Sequence, residues 1–316
     1  MKRLFFLSIL ASCILVGCNN GGTKSAGAVS AVSSEAVHPY SIGFQLYSVR
    51  NELEKDFYGT LKKVREMGYT GVEFYNVYGG HSVLEVKRMC TELGLIPFSN
   101  HVPFQVMMDD LDKVIEENTI LGVQYIAFPY MDEASRPGVN PEKFKETVAK
   151  IWEIGAKVKE AGFQLLYHNH DFEFAKLPDG TVGHDYIFSP DADVMVELDA
   201  CWADYAGFKC DQIIPKYKGR IPVIHIKDYY KEGDLKGDPY ALIGVEGDGK
   251  KADEGGKFEF RPLGAGIMDL PGLVNVSLEN GVRWLCVEQD DPAEGAADWF
   301  EGPAQSIAWL HENGLL

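Results

Sequence analysis

The chain has 316 residues and carries 30 basic against 47 acidic side chains, a formal net charge of −17. Such a surface repels nucleic acid and anionic lipid, and it disfavours phosphorylated ligands wherever no local basic pocket overrides the mean field. The length allows one or two domains and is ample for a large buried core.

The N-terminus reads as a processing signal. Lys2 and Arg3 form a basic start, and residues 4–16 form an apolar run too short to span a bilayer comfortably. Leu15-Val16-Gly17-Cys18 follows and resembles a bacterial lipobox. The resemblance implies that residues 1–17 are removed and that Cys18 is lipidated. Asn19 follows the cysteine, where an Asp would imply inner-membrane retention. The expected location is a lipid-anchored protein facing the periplasm or in the outer membrane of a Gram-negative cell. Residues 18–39 are rich in Gly, Ser, Ala and Asn without apolar periodicity, so they read as a flexible tether. The globular part is expected over residues 40–316.

From there strands and helices alternate. Residues 41–47 make a first strand, followed by a helix with Phe57, Leu61, Val64 and Met67 at helical spacing. Strands are expected at 71–74, 95–101 and 123–129, with helices at 84–93 and 111–121 between them. Pro141 opens a long helix through Lys159. Four later apolar runs turn polar at their ends: Leu165 to His170, Val194 to Asp199, Val223 to Asp228 and Leu285 to Asp290. The phrases Glu66-Met67-Gly68-Tyr69, Glu92-Leu93-Gly94-Leu95, Glu160-Ala161-Gly162-Phe163 and Glu279-Asn280-Gly281-Val282 each read as a helix end, a glycine stop and a new strand. About eight strands result, with a last helix near 304–312. The pattern predicts an α/β fold, a (β/α)8 TIM barrel, in one domain. An open doubly wound sheet is the rival, but no Gly-rich dinucleotide turn follows the first strand. The stretch 229–260 is rich in Gly, Asp and Lys and reads as a lid, a binding loop or a disordered insertion. Cys90, Cys201, Cys210 and Cys286 lack CxxC spacing; three lie in apolar surroundings, and a Cys201–Cys210 disulfide stays open.

Residues two apart on a strand share a face. His168 therefore shares one with His170, Glu197 with Asp199, His225 with Lys227, and Glu288 with Asp290. At the C-terminal end of a barrel these faces converge. His168, Asp199, His225 and Glu288 can then meet around one divalent cation, with His170 competing for the place of His168. Imidazole with carboxylate suits Mn²⁺, Co²⁺, Zn²⁺, Ni²⁺ or Fe²⁺ better than Ca²⁺. Each of these residues alone is as readily a hydrogen-bonded core group; the signal lies in the set. Glu73 and His101 end earlier strands and are expected to touch substrate or steady a ligand. Lys227 would neutralise a developing enolate or bind a substrate oxygen. Trp202, Tyr47 and Phe104 are expected near the mouth, where aromatic faces suit sugar C–H surfaces.

The segments 43–50, 71–74, 167–171, 197–199, 225–228, 263–266 and 287–290 together resemble the sugar phosphate isomerase/epimerase family, within the xylose-isomerase-like TIM-barrel superfamily. The resemblance covers nearly all of residues 41–316. It implies a metal quartet of Glu, Asp, His and Glu on the fifth to eighth barrel strands, with the two glutamates acting as acid and base. Asp199, His225 and Glu288 match the last three. His168 stands where the first Glu belongs, which leaves Glu288 as the matching base.

The expected function is a metal-dependent carbohydrate enzyme. Its cation acidifies the C–H beside a sugar carbonyl by stabilising an enediolate, and Glu288, His168 and Lys227 form its catalytic set. Reprotonation gives an isomerase or epimerase. Expulsion of a β-oxygen gives a lyase acting on 3-keto-glycosides, as the resemblance implies for some relatives. A location outside the cytoplasm favours an unphosphorylated sugar or glycoside as partner. A sugar-binding lipoprotein without catalysis is the alternative from another class. A metal-dependent endonuclease shares the superfamily, but the acidic charge opposes a nucleic-acid partner.

Overall fold

The computed structural model describes residues 40–233, residue 240 and residues 255–316. The leader, the tether and Cys18 lie outside them. The strands are β1 (Ser41–Gln45), β2 (Gly71–Phe74), β3 (Ile96–His101), β4 (Tyr125–Phe128), β5 (Gln164–His168), β6 (Val194–Asp199), β7 (Val223–Ile226), β8 (Asp228–Gly233), β9 (Gly256–Arg261) and β10 (Trp284–Val287). Eight of them close into a parallel barrel in the order β1-β10-β7-β6-β5-β4-β3-β2. The predicted barrel is therefore the fold, and the open sheet is excluded.

Two-residue periodicity sorts each strand between two cores. Leu165 and Tyr167 of β5, Val194, Val196 and Leu198 of β6, and Ile224 and Ile226 of β7 belong to the shell shared with the helices. Leu166, Val223 and Cys286 face the barrel interior with Phe98 and Tyr125. The floor of that interior is the stacked pair Phe98 and Trp284, with ring centroids 4.2 Å apart. Two strand glycines make room for it. A Cβ on Gly43 would lie 2.5 Å from the Phe98 ring, and one on Gly71 would lie 2.2 Å from Trp284. Continuing each inward row one step beyond the apolar floor brings His168, Glu197, His225 and Glu288 into the upper interior.

The helices cover the outside. Phe57–Met67 begins at Asp56, whose side chain accepts from the Gly59 N–H, and ends at Gly68. Val83–Leu93 carries a reciprocal Ser82/Glu85 cap and ends at Gly94. Pro141–Glu160 is capped by Asn140. All four glycines of the recurring phrase adopt positive φ, at 116°, 68°, 91° and 82° for Gly68, Gly94, Gly162 and Gly281. Among the described residues no helix is long and apolar enough to cross a membrane.

The stretch 229–260 corrects an expectation. Its two ends are not loop: β8 and β9 pair antiparallel from Asp228 opposite Arg261 to Gly233 opposite Gly256. Tyr229, Phe258 and Phe260 of this hairpin pack with Trp202, Cys201 and Tyr240 in a separate aromatic core. Apart from Tyr240, residues 234–254 lie outside the description. Cys201 and Cys210 are both free thiols, so no disulfide joins them.

Candidate metal centre and active site

Strand register sets the site. His168 on β5 lies level with Glu197 on β6, and Asp199 on β6 lies level with His225 on β7. Ligand atoms of His168, Asp199, His225 and Glu288 all lie within 4.8 Å of one another, and all four residues are buried. Two nitrogens and two carboxylate oxygens at that spacing are a donor set for a borderline divalent ion. The surrounding charge agrees. Glu73, Glu197, Asp199, Glu288 and Asp290 are all buried in this region, and Lys227 is the one buried lysine among the described residues.

His225 sits between two carboxylates. Its Nδ1 lies 2.6 Å from Glu288 Oε2, and its Nε2 lies 2.6 Å from Glu73 Oε2. His101 Nε2 lies 2.6 Å from Glu197 Oε2 and 3.4 Å from Glu73 Oε2. His168 places Nδ1 3.3 Å from Glu197 Oε2 and Nε2 3.8 Å from Asp199 Oδ2. Asp199 is fixed at the strand end: its Oδ1 accepts from the Trp202 N–H at 2.8 Å, and its own N–H donates to Asn169 Oδ1 at 3.0 Å. Lys227 Nζ lies 2.9 Å from Asp199 Oδ2, 2.9 Å from Glu288 Oε2 and 2.6 Å from Asp290 Oδ2.

Burial and charge divide these groups. Burial, with His225 and His101 close by, holds His168 well below the usual imidazole range. His170 is held down in the same way by burial and Lys227. Both rings are thus neutral, with lone pairs to offer. Burial alone would protonate Glu288, but Lys227 and His225 outweigh it and keep the carboxyl far below its ordinary range. Glu197 goes the other way: burial and the adjacent Glu73 push it up to about 7.

A cavity of about 310 Å³ opens above this floor. His101, His168, His170, Glu288 and Asp290 line it, with the rings of Tyr47, Tyr75 and Tyr130 around them. No lysine or arginine is among the described lining residues.

Four expectations are corrected, that for Glu73 only in its contact with substrate. Glu73 does not line the cavity; it is wholly buried behind His225, where Gln45 Nε2 donates to its Oε2 at 2.9 Å. Trp202 is not at the mouth. The chain turns into helix Ala200–Tyr205 directly after Asp199, which ends the strand alternation, and the hairpin then covers the indole. Its ring centroid is 5.6 Å from that of His170, so it backs a cavity residue. Lys227 is likewise below the cavity wall, its ammonium enclosed by the three carboxylates. Phe104 packs on Phe128 rather than lining the cavity, whereas Tyr47 does line it. The sequence reading missed Glu197, Gln45, Asp290, Tyr75 and Tyr130 as site residues. The face-sharing rule pointed at Glu197 and Asp290, two residues from Asp199 and Glu288; the two tyrosines sit on loops and carried no such signal.

Residues 61–313 match the family model for the xylose isomerase-like TIM barrel. The chain belongs to this family. An inosose dehydratase from Clostridium perfringens is 27% identical over 162 residues, 49% of this chain, and the match spans about half (50%) of that relative's length. A sugar phosphate isomerase/epimerase from Parabacteroides distasonis superposes with a TM-score of 0.65 at 24% identity, covering 90% of this chain and 98% of its own. The 3-keto-D-glucoside 4-epimerase of E. coli superposes with a TM-score of 0.60 at 14% identity, over 86% and 99% of the two chains. At these identities the two structural likenesses establish the barrel alone. Within the xylose isomerase-like barrel, this chain places the group His168, Asp199, His225 and Glu288 on β5, β6, β7 and just past β10.

Proposed function

We propose that this protein is a divalent-metal-dependent carbohydrate enzyme that removes a proton from the carbon beside a sugar carbonyl. The observation that carries the reading is the convergence of His168, Asp199, His225 and Glu288 within 4.8 Å, with His168 and Glu288 lining the cavity. These four would hold the cation. Once bound, it supplies Lewis-acid polarisation of the carbonyl and its neighbouring hydroxyl. Glu288, ionised and at the cavity wall, takes the proton. His170, neutral and on the same wall, carries a proton to or from the substrate. Lys227 keeps Glu288 charged and holds Asp199 and Glu288 in place. Tyr47, Tyr75 and Tyr130 offer ring faces to sugar C–H groups. The cavity wall, with Glu288 and Asp290 in it and no lysine or arginine among its described residues, suits an unphosphorylated sugar.

A second outcome of the same proton removal is loss of a β-oxygen, which would make the protein a lyase acting on 3-keto-glycosides. His170 favours it, because a second neutral imidazole beside His168 can accept a proton and return it, as imidazolium, to a departing oxygen. The relatives' names divide in the same way, between a dehydratase and epimerases. The test is metal analysis of protein purified without chelator, then deuterium uptake from solvent by keto-sugars with Mn²⁺ or Co²⁺ added. Bound metal, exchange in the wild type and none in Glu288→Gln are expected; sugar binding without exchange in either form would leave only a binding protein. Release of aglycone from 3-keto-glycosides separates lyase from epimerase. We further propose that Cys18 carries the lipid anchor. Labelled fatty acid should enter the wild type and not Cys18→Ala.

A further inference from the structure

The inner face of the site has a second tier, and it explains why Glu73 is in the protein at all. Glu73, next to last in β2, is on the barrel's inner face, wholly buried, and does not line the cavity. A carboxylate in that position costs desolvation unless donors surround it. It has two. Gln45 Nε2 donates to its Oε2 at 2.9 Å, and His225 Nε2 approaches the same oxygen at 2.6 Å. Gln45 is itself oriented, because its Oε1 accepts the Tyr47 N–H at 3.0 Å. His225 thus points one ring nitrogen down at Glu73 and the other, Nδ1, up toward Glu288 and the metal-capable quartet.

An imidazole that gives one lone pair to a cation must carry its proton on the other nitrogen. Which nitrogen binds is set by the hydrogen bond made by the other. We propose that Glu73, steadied by Gln45, is a positioning residue that fixes His225 with its proton on Nε2 and leaves Nδ1 for the cation. This rests on the metal reading above. A separate ion between Glu73 and His225, beside one on Nδ1, would require both nitrogens of His225 to be deprotonated.

The test uses Zn²⁺, which is diamagnetic, as the probe. In ¹⁵N-histidine-labelled protein loaded with Zn²⁺, imidazole NMR should report a proton on Nε2 of His225 and a metal-shifted Nδ1. Glu73→Met removes the acceptor with little change in volume and should weaken Zn²⁺ binding about 10–100-fold, measured by competition with a chromogenic chelator. Glu73→Gln keeps an oxygen that can accept from both partners and should restore affinity to within a few-fold of wild type. A merely structural role would not separate Met from Gln in this way while both remain folded by circular dichroism. Binding through Nε2, equal affinity in wild type and Glu73→Met, or two Zn²⁺ per chain with one lost in Glu73→Met would each overturn the proposal. If Glu73→Met does not fold, the wild-type NMR assignment decides alone. Failure of the wild type to bind Zn²⁺, Mn²⁺ or Co²⁺ at all would instead remove the metal reading beneath it.

Discussion

Replacing Lys227 by Met is the sharpest probe of the site's electrostatics. The ammonium is 1% exposed and lies 2.6–2.9 Å from carboxylate oxygens of Asp199, Glu288 and Asp290. Met fills similar volume, so the loss is one of charge rather than packing. Removing one partner from a buried ion pair costs about 3–5 kcal/mol, because the other is left desolvated and unpaired. Here three carboxylates share one cation, so the upper part of that range applies, reduced where one of them takes up a proton. At about 2 °C per kcal/mol for a domain of roughly 280 residues, the melting temperature in EDTA should fall by about 6–10 °C. The deficit should shrink with falling pH, since protonating Asp290, which burial already pushes up to about 7, relieves the repulsion. Saturating Mn²⁺ or Zn²⁺ should recover part of it by mass action, because the ion replaces the missing positive charge beside Asp199 and Glu288. The assay is thermal unfolding by circular dichroism in EDTA and in metal, from pH 5.5 to 8. A fall of less than about 2 °C in EDTA at pH 8 would refute the reasoning, as would a deficit independent of pH.

Three other perturbations probe buried groups elsewhere in the barrel. His184 is buried against Phe174, ring centroids 4.7 Å apart, and burial drops it to about 3. Its folded value lies below its unfolded one, so the stability it confers is present above about 6.5 and lost as pH falls toward 3, at about 1.4 kcal/mol per pH unit. Melting curves of His184→Phe should therefore fall less steeply than wild type between pH 6.5 and 4.5. Glu173 has the opposite sign: burial raises it to about 8, although Tyr167 Oη and the His170 N–H both donate to it. Its contribution is complete below about 4.5 and lost as pH rises to 8, so Glu173→Gln should stabilise the fold, increasingly so across that window in urea titrations. Gly71→Ala drives a methyl to within 2.2 Å of the Trp284 ring and should cost about 1–3 kcal/mol by chemical denaturation. Being on the floor of the barrel, it should leave metal affinity unchanged.

The barrel was legible because its signals are local and repeated. Helix ends at Gly68, Gly94, Gly162 and Gly281 need positive φ, and glycine supplies it at the lowest cost. The hairpin at 228–261 was not recognised. Its strands alternate charged and aromatic residues only over Lys257 to Arg261, and the partner strand's apolar side is Tyr229. A short amphipathic strand whose partner lies beyond a long insertion gives periodicity little to register. Its aromatic face is also satisfied by Trp202, a residue that sequence alone assigned to substrate.

For the site, strand alternation carried the inference as far as the strands do and failed where they stop. Within β5, β6 and β7 the rule placed His168, Asp199 and His225 correctly on one inward face. Past Asp199 the chain becomes helix, and Trp202 leaves the face. Depth was the other hidden coordinate. A strand register states which way a side chain points, but not how far up the barrel it lies relative to strands across the interior. Glu73 on β2 and His225 on β7 are not neighbours in the sheet, yet their side chains meet at 2.6 Å. Only closure of the barrel, with its staggered strands, sets that meeting. Glu73 could therefore be read as an inward carboxylate near a metal, while its position beneath His225, away from the cavity, came from the three-dimensional stagger alone.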